Sequence, residues 1–186
     1  MEDEKIVRLY WDRDEQAIAE SSAKYGAYCG SIAGNILESA SDAEECVNDT
    51  WLRAWNAMPP HRPSLLSVFL GKITRNLAFD RYKALRRNKR GGGQMELVLD
   101  ELSECVSGRD DPENSWQAEE LRREIDAFLQ GLPEEQRAMF LLRYWYADSV
   151  RVIAARFGRS ENNVSVALSR MRAKLKKHLH ERGYEI

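Results

Sequence analysis

The stretch SVRVIAARFGRSENNVSVALSRMRAKLKK, residues 149–177, leaves the chain few ways to fold. Val150, Ile153, Ala154 and Phe157 recur at i, i+3, i+4 and i+7, the spacing that lines one face of a helix, and Ser149 is a good N-cap before them. Gly158 follows at the place where a left-handed residue ends a helix without a Cβ penalty. Ser160 can then cap a second helix, with Glu161 in its first turn. In that helix Val164, Leu168, Met171, Leu175 and Leu179 form the apolar stripe, and Asn162, Ser165, Val166, Ser169, Arg170 and Arg172 fall mostly off it. Two amphipathic helices joined by a tight Gly turn predict a helix-turn-helix. Residues 150–186 carry nine Lys or Arg against three Glu, a net of plus six, which suits a nucleic-acid footprint. A plain helical hairpin with solvated charges explains the same stretch taken alone.

The 186 residues have a net charge of only minus two, which speaks against a polyanion partner until the charges are located. From Lys72 to Arg90 eight basic residues face one Asp, a net of plus seven; from Gln94 to Asp126 eleven acidic residues face three Arg, a net of minus eight. The chain reads basic, acidic, basic. Cys29, Cys46 and Cys105 are isolated, without a Cys-x-x-Cys pair, which supports neither a zinc ribbon nor a disulfide framework and suits a reducing cytoplasm. The charged start MEDEKIVRLYWDRDE has no secretory apolar core, and no apolar run reaches the ~18 residues a spanning helix needs. A protein without membrane insertion is expected.

Strand signals are nearly absent and helical periodicity recurs, so the expected fold is all-α. Helices are predicted over Glu4 to Trp11 and over Asp14 to Leu37, the second interrupted near Tyr25 and Gly26. Ser41 is expected to cap the helix in SDAEECVNDTWLRAW with Glu44 completing a capping box. MPPHRPS must stop that helix, since its prolines remove donors and push their predecessors out of the α region. A basic helix runs from Leu65 to about Asn88, with Phe69, Ile73, Leu77 and Tyr82 inward. GGGQ closes a first domain at residues 1–92, and 93–113 is expected to be an acidic flexible linker. The second domain, 114–186, adds a helix over Asn114 to Gln130 and another begun by Pro133.

DAEECVNDTWLRAW, then FLGKITRNLAFDRYKALRR, then LPEEQRAMFLLRYWYADSVRVIAARFGRSENNVSVALSRMRAKL, in this order and with this charge layout, resemble the extracytoplasmic-function group of sigma-70-type sigma factors. The resemblance covers nearly the whole chain. It implies a sigma domain 2 that binds the polymerase clamp coiled coil and melts the −10 element, and a sigma domain 4 that reads the −35 element and binds the polymerase flap. The partners implied are core RNA polymerase and promoter DNA, with an anti-sigma factor as a separate controlling protein. No cofactor is implied. By the same resemblance Asn48, Asp49, Leu52 and Arg53 face polymerase. NAMPPHRPSLL, residues 56–66, stands in the place of the specificity loop, which assigns Asn56, His61 and Arg62 to −10 DNA. Arg75 and Asn76 match the Arg-Asn pair of the melting helix, and Lys72, Arg86 and Arg87 belong to its basic face. In the recognition helix Asn162, Asn163, Ser165, Val166, Ser169, Arg170 and Arg172 are the −35 candidates. The acidic stretch corresponds to a segment that enters the polymerase cleft. Phe69 stands where many relatives have Trp, Ser165 where Lys or Arg is frequent, and Val166 where a polar residue is common, so the −35 preference does not transfer.

Other classes explain less. Asp42, Glu44, Glu45 and Asp49 could hold Mg²⁺, but on a helix they spread over more than one face, and no phosphate-binding Gly loop accompanies them; no enzyme is expected. His178 and His180 point to different sides of a helix, and His61 is alone in its loop. Trp51 and Trp55 sit on apolar faces. A stand-alone helix-turn-helix regulator accounts for residues 149–177 and leaves the first ninety residues without a role.

Overall fold

Helices make up the regular structure of residues 1–86, 93–103, 105 and 115–184, the part of the chain that the computed structural model describes; for Arg86 and residues 115–118 the description is of backbone alone. No strand occurs among these residues. The chain divides into two compact units, Met1–Gly93 and Gln94–Ile186.

The first unit holds α1 (Asp3–Trp11), α2 (Gln16–Ile36), α3 (Ala40–Ala57) and α4 (Leu66–Arg86). Asp3 and Glu4 occupy the first turn of α1, where the helix dipole favours negative charge, and Ile6, Val7 and Tyr10 are buried. The core gathers Tyr10, Ala17, Cys29, Trp51, Ala54, Met58, Leu66 and Leu70; each large apolar side chain so buried contributes roughly 1.5–3 kcal/mol. The expected break in α2 does not occur. The helix runs through Gly26, whose cost of about 1 kcal/mol against Ala is small beside tertiary anchors such as the Tyr25 hydroxyl, which donates to Asp3 Oδ1 at 2.6 Å. The cap of α3 is Ser39 rather than Ser41: its hydroxyl accepts from the Asp42 amide at 3.2 Å. Asp42, not Glu44, is then the third helical residue.

The inward line of α4 also differs from expectation. Leu66, Leu70, Thr74 and Ala78 are fully buried, while Phe69, Ile73, Leu77 and Tyr82 flank them half-buried. Thr74 tolerates the interior because its hydroxyl donates to the Leu70 carbonyl at 2.9 Å and accepts from Thr50 Oγ1 at 3.1 Å. Thr50 and Thr74 therefore mark where α3 and α4 cross. Beside them, burial and the charge of Asp49 push the Cys46 thiol up to about 11, and all three cysteines are buried thiols outside any disulfide.

The second unit holds α5 (Gln94–Ser103), α6 (Ser115–Gln130), α7 (Glu134–Tyr144), α8 (Val150–Phe157) and α9 (Glu161–Glu181). The stretch 93–113 is thus not linker throughout. Met95, Val98, Leu99 and Leu102 stand at i, i+3, i+4 and i+7, Met95 and Val98 are buried, and the helix they make belongs to the second unit. The rest of 93–113, apart from Gly93 and Cys105, lies outside the described residues. The helix-turn-helix has the predicted details. Ser149 Oγ accepts from the Val152 amide at 3.3 Å and Ser160 Oγ from the Asn163 amide at 3.2 Å. Gly158 closes α8 in the left-handed region at φ 61°, and Val164, Leu168, Met171, Leu175 and Leu179 are all buried.

Candidate nucleic-acid interfaces

On α9 the side opposite the buried stripe carries Asn162, Asn163, Ser165, Val166, Ser169 and Arg170, every one exposed. Each residue turns the helix by about 100°, so these six share one broad face. Ser160 and Gly158 fix where that face begins, because the cap sets the first helical residue and the left-handed turn sets the entry of the chain. Arg159, in the turn, donates from Nε and Nη2 to both carboxylate oxygens of Glu135 at 2.8 and 2.9 Å, tying the turn to α7. Val166 is 40% exposed, which leaves its methyls open to contact thymine methyls.

Arg172 departs from this group. It stands one turn after Leu168, about 40° from it in projection, and so borders the buried stripe rather than the open face. Its Nη1 donates to Tyr144 Oη at 2.7 Å and to Glu101 Oε2 at 3.3 Å. Glu101 also takes two hydrogen bonds from Arg143 and one from Tyr144. Burial raises the Glu101 pKa, but the bonds and charges of Arg143, Tyr144 and Arg172 outweigh it and hold the carboxyl below its usual range. The Arg143 guanidinium, itself buried, reaches the Asp148 carbonyl at 3.1 Å, which fixes the turn leading into α8. Sequence reading missed this cluster, though the apolar period of α5 was the available signal.

In the first unit Asn48, Asp49, Leu52 and Arg53 are exposed along α3, with Leu52 58% open to solvent. They lie across the helix from Ala43, Cys46, Thr50, Trp51 and Ala54, which are buried. Asp42 and Glu45 are not merely solvated: both pair with Arg81 of α4, and this pairing raises the Arg81 pKa further. These two carboxylates thus serve to hold α3 to α4.

Asn56, His61 and Arg62 are exposed on and beside the loop that follows α3, Lys72 and Asn76 are exposed on α4, and Arg75 is half-buried. The Met58–Pro59 and Pro59–Pro60 bonds in this loop are cis. Burial lowers the Arg75 pKa, and its guanidinium lies 5.1 Å from the Phe79 ring centre, with Lys83 Nζ at 4.6 Å from the same ring. Phe79 stacks in turn on Tyr82, at 6.4 Å and 18° between planes. An aromatic side chain set among cations is the arrangement that single-stranded nucleic acid uses for stacking and backbone contact. Phe79 was not singled out from sequence; its place one turn beyond Arg75 and before Lys83 was the signal. The Arg86 side chain and all of Arg87 lie outside the described residues. Trp51 is buried, and Trp55 packs edge-on against Tyr10 at 6.2 Å.

Both units match known families: sigma-70 region 2 over residues 24–90 and sigma-70 region 4 over residues 122–175. The protein named probable RNA polymerase sigma factor RfaY, from Xanthomonas campestris pv. campestris, is 28% identical over 155 residues, which cover 81% of this chain and 37% of that protein. The ECF RNA polymerase sigma factor SigE of Mycolicibacterium smegmatis is 26% identical over 154 residues, covering 83% of this chain and 58% of that protein. The chain spans less than two thirds of the length of either relative.

Proposed function

Because the chain belongs to the sigma-70 family, in its extracytoplasmic-function group, we propose that it binds core RNA polymerase and directs transcription initiation at specific promoters. In this reading the first unit docks on the polymerase clamp coiled coil through Asn48, Asp49, Leu52 and Arg53, and an exposed Leu among polar neighbours suits such an interface. The 56–66 loop and the Lys72–Lys83 side of α4 take the −10 strand. Opening a base pair costs a few kcal/mol, and the loop, the aromatic ring and the cations together offset that. The second unit lays the open face of α9 in the major groove of the −35 element and meets the polymerase flap. Phosphodiester chemistry belongs to the polymerase, so the chain itself needs no catalytic group or cofactor. Its place of work is the cytoplasm, and an anti-sigma protein is the expected form of control.

The observation that carries the proposal is the α9 face from Asn162 to Arg170, capped, exposed and set opposite a fully buried stripe. The experiment is in vitro transcription by core polymerase with this chain and a promoter library. Initiation at a defined subset of promoters, only when the chain is present, is expected. Tight duplex binding by the chain alone, with no effect on transcription by core enzyme, would make it a stand-alone regulator instead.

A further inference from the structure

The root of the 56–66 loop is gripped from outside by the corner between α1 and α2. Trp11, the last residue of α1, donates its indole N–H to the His61 carbonyl at 3.2 Å. The Arg62 guanidinium lies over the same ring, 5.6 Å from its centre. Two residues on, Arg13 donates from Nη1 to the Trp55 carbonyl at 2.8 Å and lies 5.3 Å from the centre of the Trp55 ring. Arg13 does this from the left-handed region, at φ 57°, where a non-glycine residue is uncommon and strained. Tyr10, just before the corner, is fully buried, so the grip is exerted from a fixed base. Yet Trp11 is 38% exposed, and core packing alone does not account for its position.

We propose that Trp11 and Arg13 are positioning residues that set the shape of the 56–66 loop, and through it the choice among −10 sequences. The proposal rests on the −10 reading given above. One contact holds the loop at Trp55, just before Asn56, and the other holds it at His61, so the backbone between them is spanned at both ends. The cation–π contact with Trp11 also holds the Arg62 guanidinium near the loop root, with its N–H groups left to donate. A loop held this way loses less freedom when DNA binds, and a preset shape discriminates between sequences that a loose one accommodates alike.

The test uses holoenzyme assembled with Trp11→Ala, Trp11→Phe or Arg13→Asn, transcribing promoters that differ only in the −10 element. Phe keeps a ring beneath Arg62 and removes the donor; Asn tolerates the left-handed backbone and removes the guanidinium. Preference among −10 variants is expected to fall roughly two- to tenfold, the span of one net hydrogen bond, with Trp11→Phe between wild type and Trp11→Ala. Core affinity and the melting temperature of the free protein should stay at wild-type values for Trp11→Phe and Arg13→Asn. Unchanged preference in these two variants, or a loss equal at every promoter, overturns the proposal. Arg62→Ala separates the two levels of the argument. If it shifts preference and the corner variants do not, the brace alone fails; if it too shifts nothing, the −10 reading of the loop fails and takes the brace with it.

Discussion

Glu101 and Arg143 meet through both carboxylate oxygens: Arg143 Nε donates to Oε2 at 3.2 Å and Nη2 to Oε1 at 2.5 Å. The fork geometry of the guanidinium matches a carboxylate, which gives the contact direction as well as charge. Only 4% of the Arg143 side chain is exposed and 27% of Glu101, so the pair is poorly screened. With Tyr144 and Arg172 on the same carboxylate, one residue of α5 ties together α7 and α9. An acidic helix that composition alone would leave in solvent is thereby part of the second unit.

Replacing Glu101 with Gln should destabilise the second unit by about 1–3 kcal/mol at neutral pH, the cost of leaving charged donors poorly matched. The wild-type carboxyl holds its proton less tightly when folded than when unfolded. The unfolded chain therefore takes up more protons as the pH drops below about 4.5, the ordinary value, and the contribution of Glu101 is lost as pH falls through the lowered folded value. Thermal melts by circular dichroism from pH 7 to pH 3 check this. The wild-type curve should fall toward that of Glu101→Gln in acid; curves that stay parallel would remove Glu101 as their cause.

The face of α3 gives a second expectation. Asp49 and Leu52 are both exposed, so Asp49→Ala with Leu52→Ala should leave helical content and melting near wild type. Core-polymerase affinity should fall about tenfold or more, since a partly apolar anchor within an interface commonly contributes over 1 kcal/mol. Competition for core enzyme against labelled wild-type chain measures it. Equal competition by the double variant would remove this face from the proposed polymerase interface.

Local signals in the sequence were enough for the helix-turn-helix down to its caps, because Ser149, Gly158 and Ser160 act within a few residues of themselves. The same held for the exposed faces of α3 and α9, which follow from helical period. What was not legible depends on partners far along the chain. Arg172 looked like a projecting cation until Glu101, 71 residues away, and Tyr144 turned it inward. The apolar period of α5 was hidden by its acidic residues, and without α5 no partner for Arg143 could be named. Ser39 and Ser41, by contrast, are both able caps within the same local stretch, and it is the Ser39 hydroxyl that accepts from the Asp42 amide. Trp11 gave no sign of its contact with His61, since fifty residues separate them.

On α4, Lys72 and Lys83 are exposed and lie on the side proposed to take the −10 strand. Replacing both with Ala should weaken open-complex formation and flatten its salt dependence. The log-log slope should shrink by ~0.7–0.9 for each phosphate no longer neutralised, the range from single-stranded to duplex DNA. Permanganate reactivity at the −10 element, followed over a salt series, reads both quantities. Melting and slope equal to wild type would put the DNA backbone on another part of the unit.

Arg170 and Arg172 are two residues apart on α9 and should fail in opposite ways. Arg170 is exposed beside Ser169 and Val166, where a guanidinium can pair with the O6 and N7 of a guanine. Arg170→Ala should cost holoenzyme about 1–3 kcal/mol on its best −35 element and relax preference at one base pair if the contact is to a base; a contact to phosphate would weaken all sequences alike. The side chain of Arg172 is only 17% exposed and is committed to Glu101 and Tyr144. Arg172→Ala should therefore lower the melting temperature of the chain, because it leaves part of the Glu101 charge and the Tyr144 hydroxyl without their donor. At temperatures where it is folded, its order of preference among −35 variants should match wild type. The measurement is a −35 variant binding panel on holoenzyme, paired with melts of each free variant. Loss of base preference in Arg172→Ala with an unchanged melt would mean that the Glu101 contact opens on DNA and that Arg172 reads the groove after all.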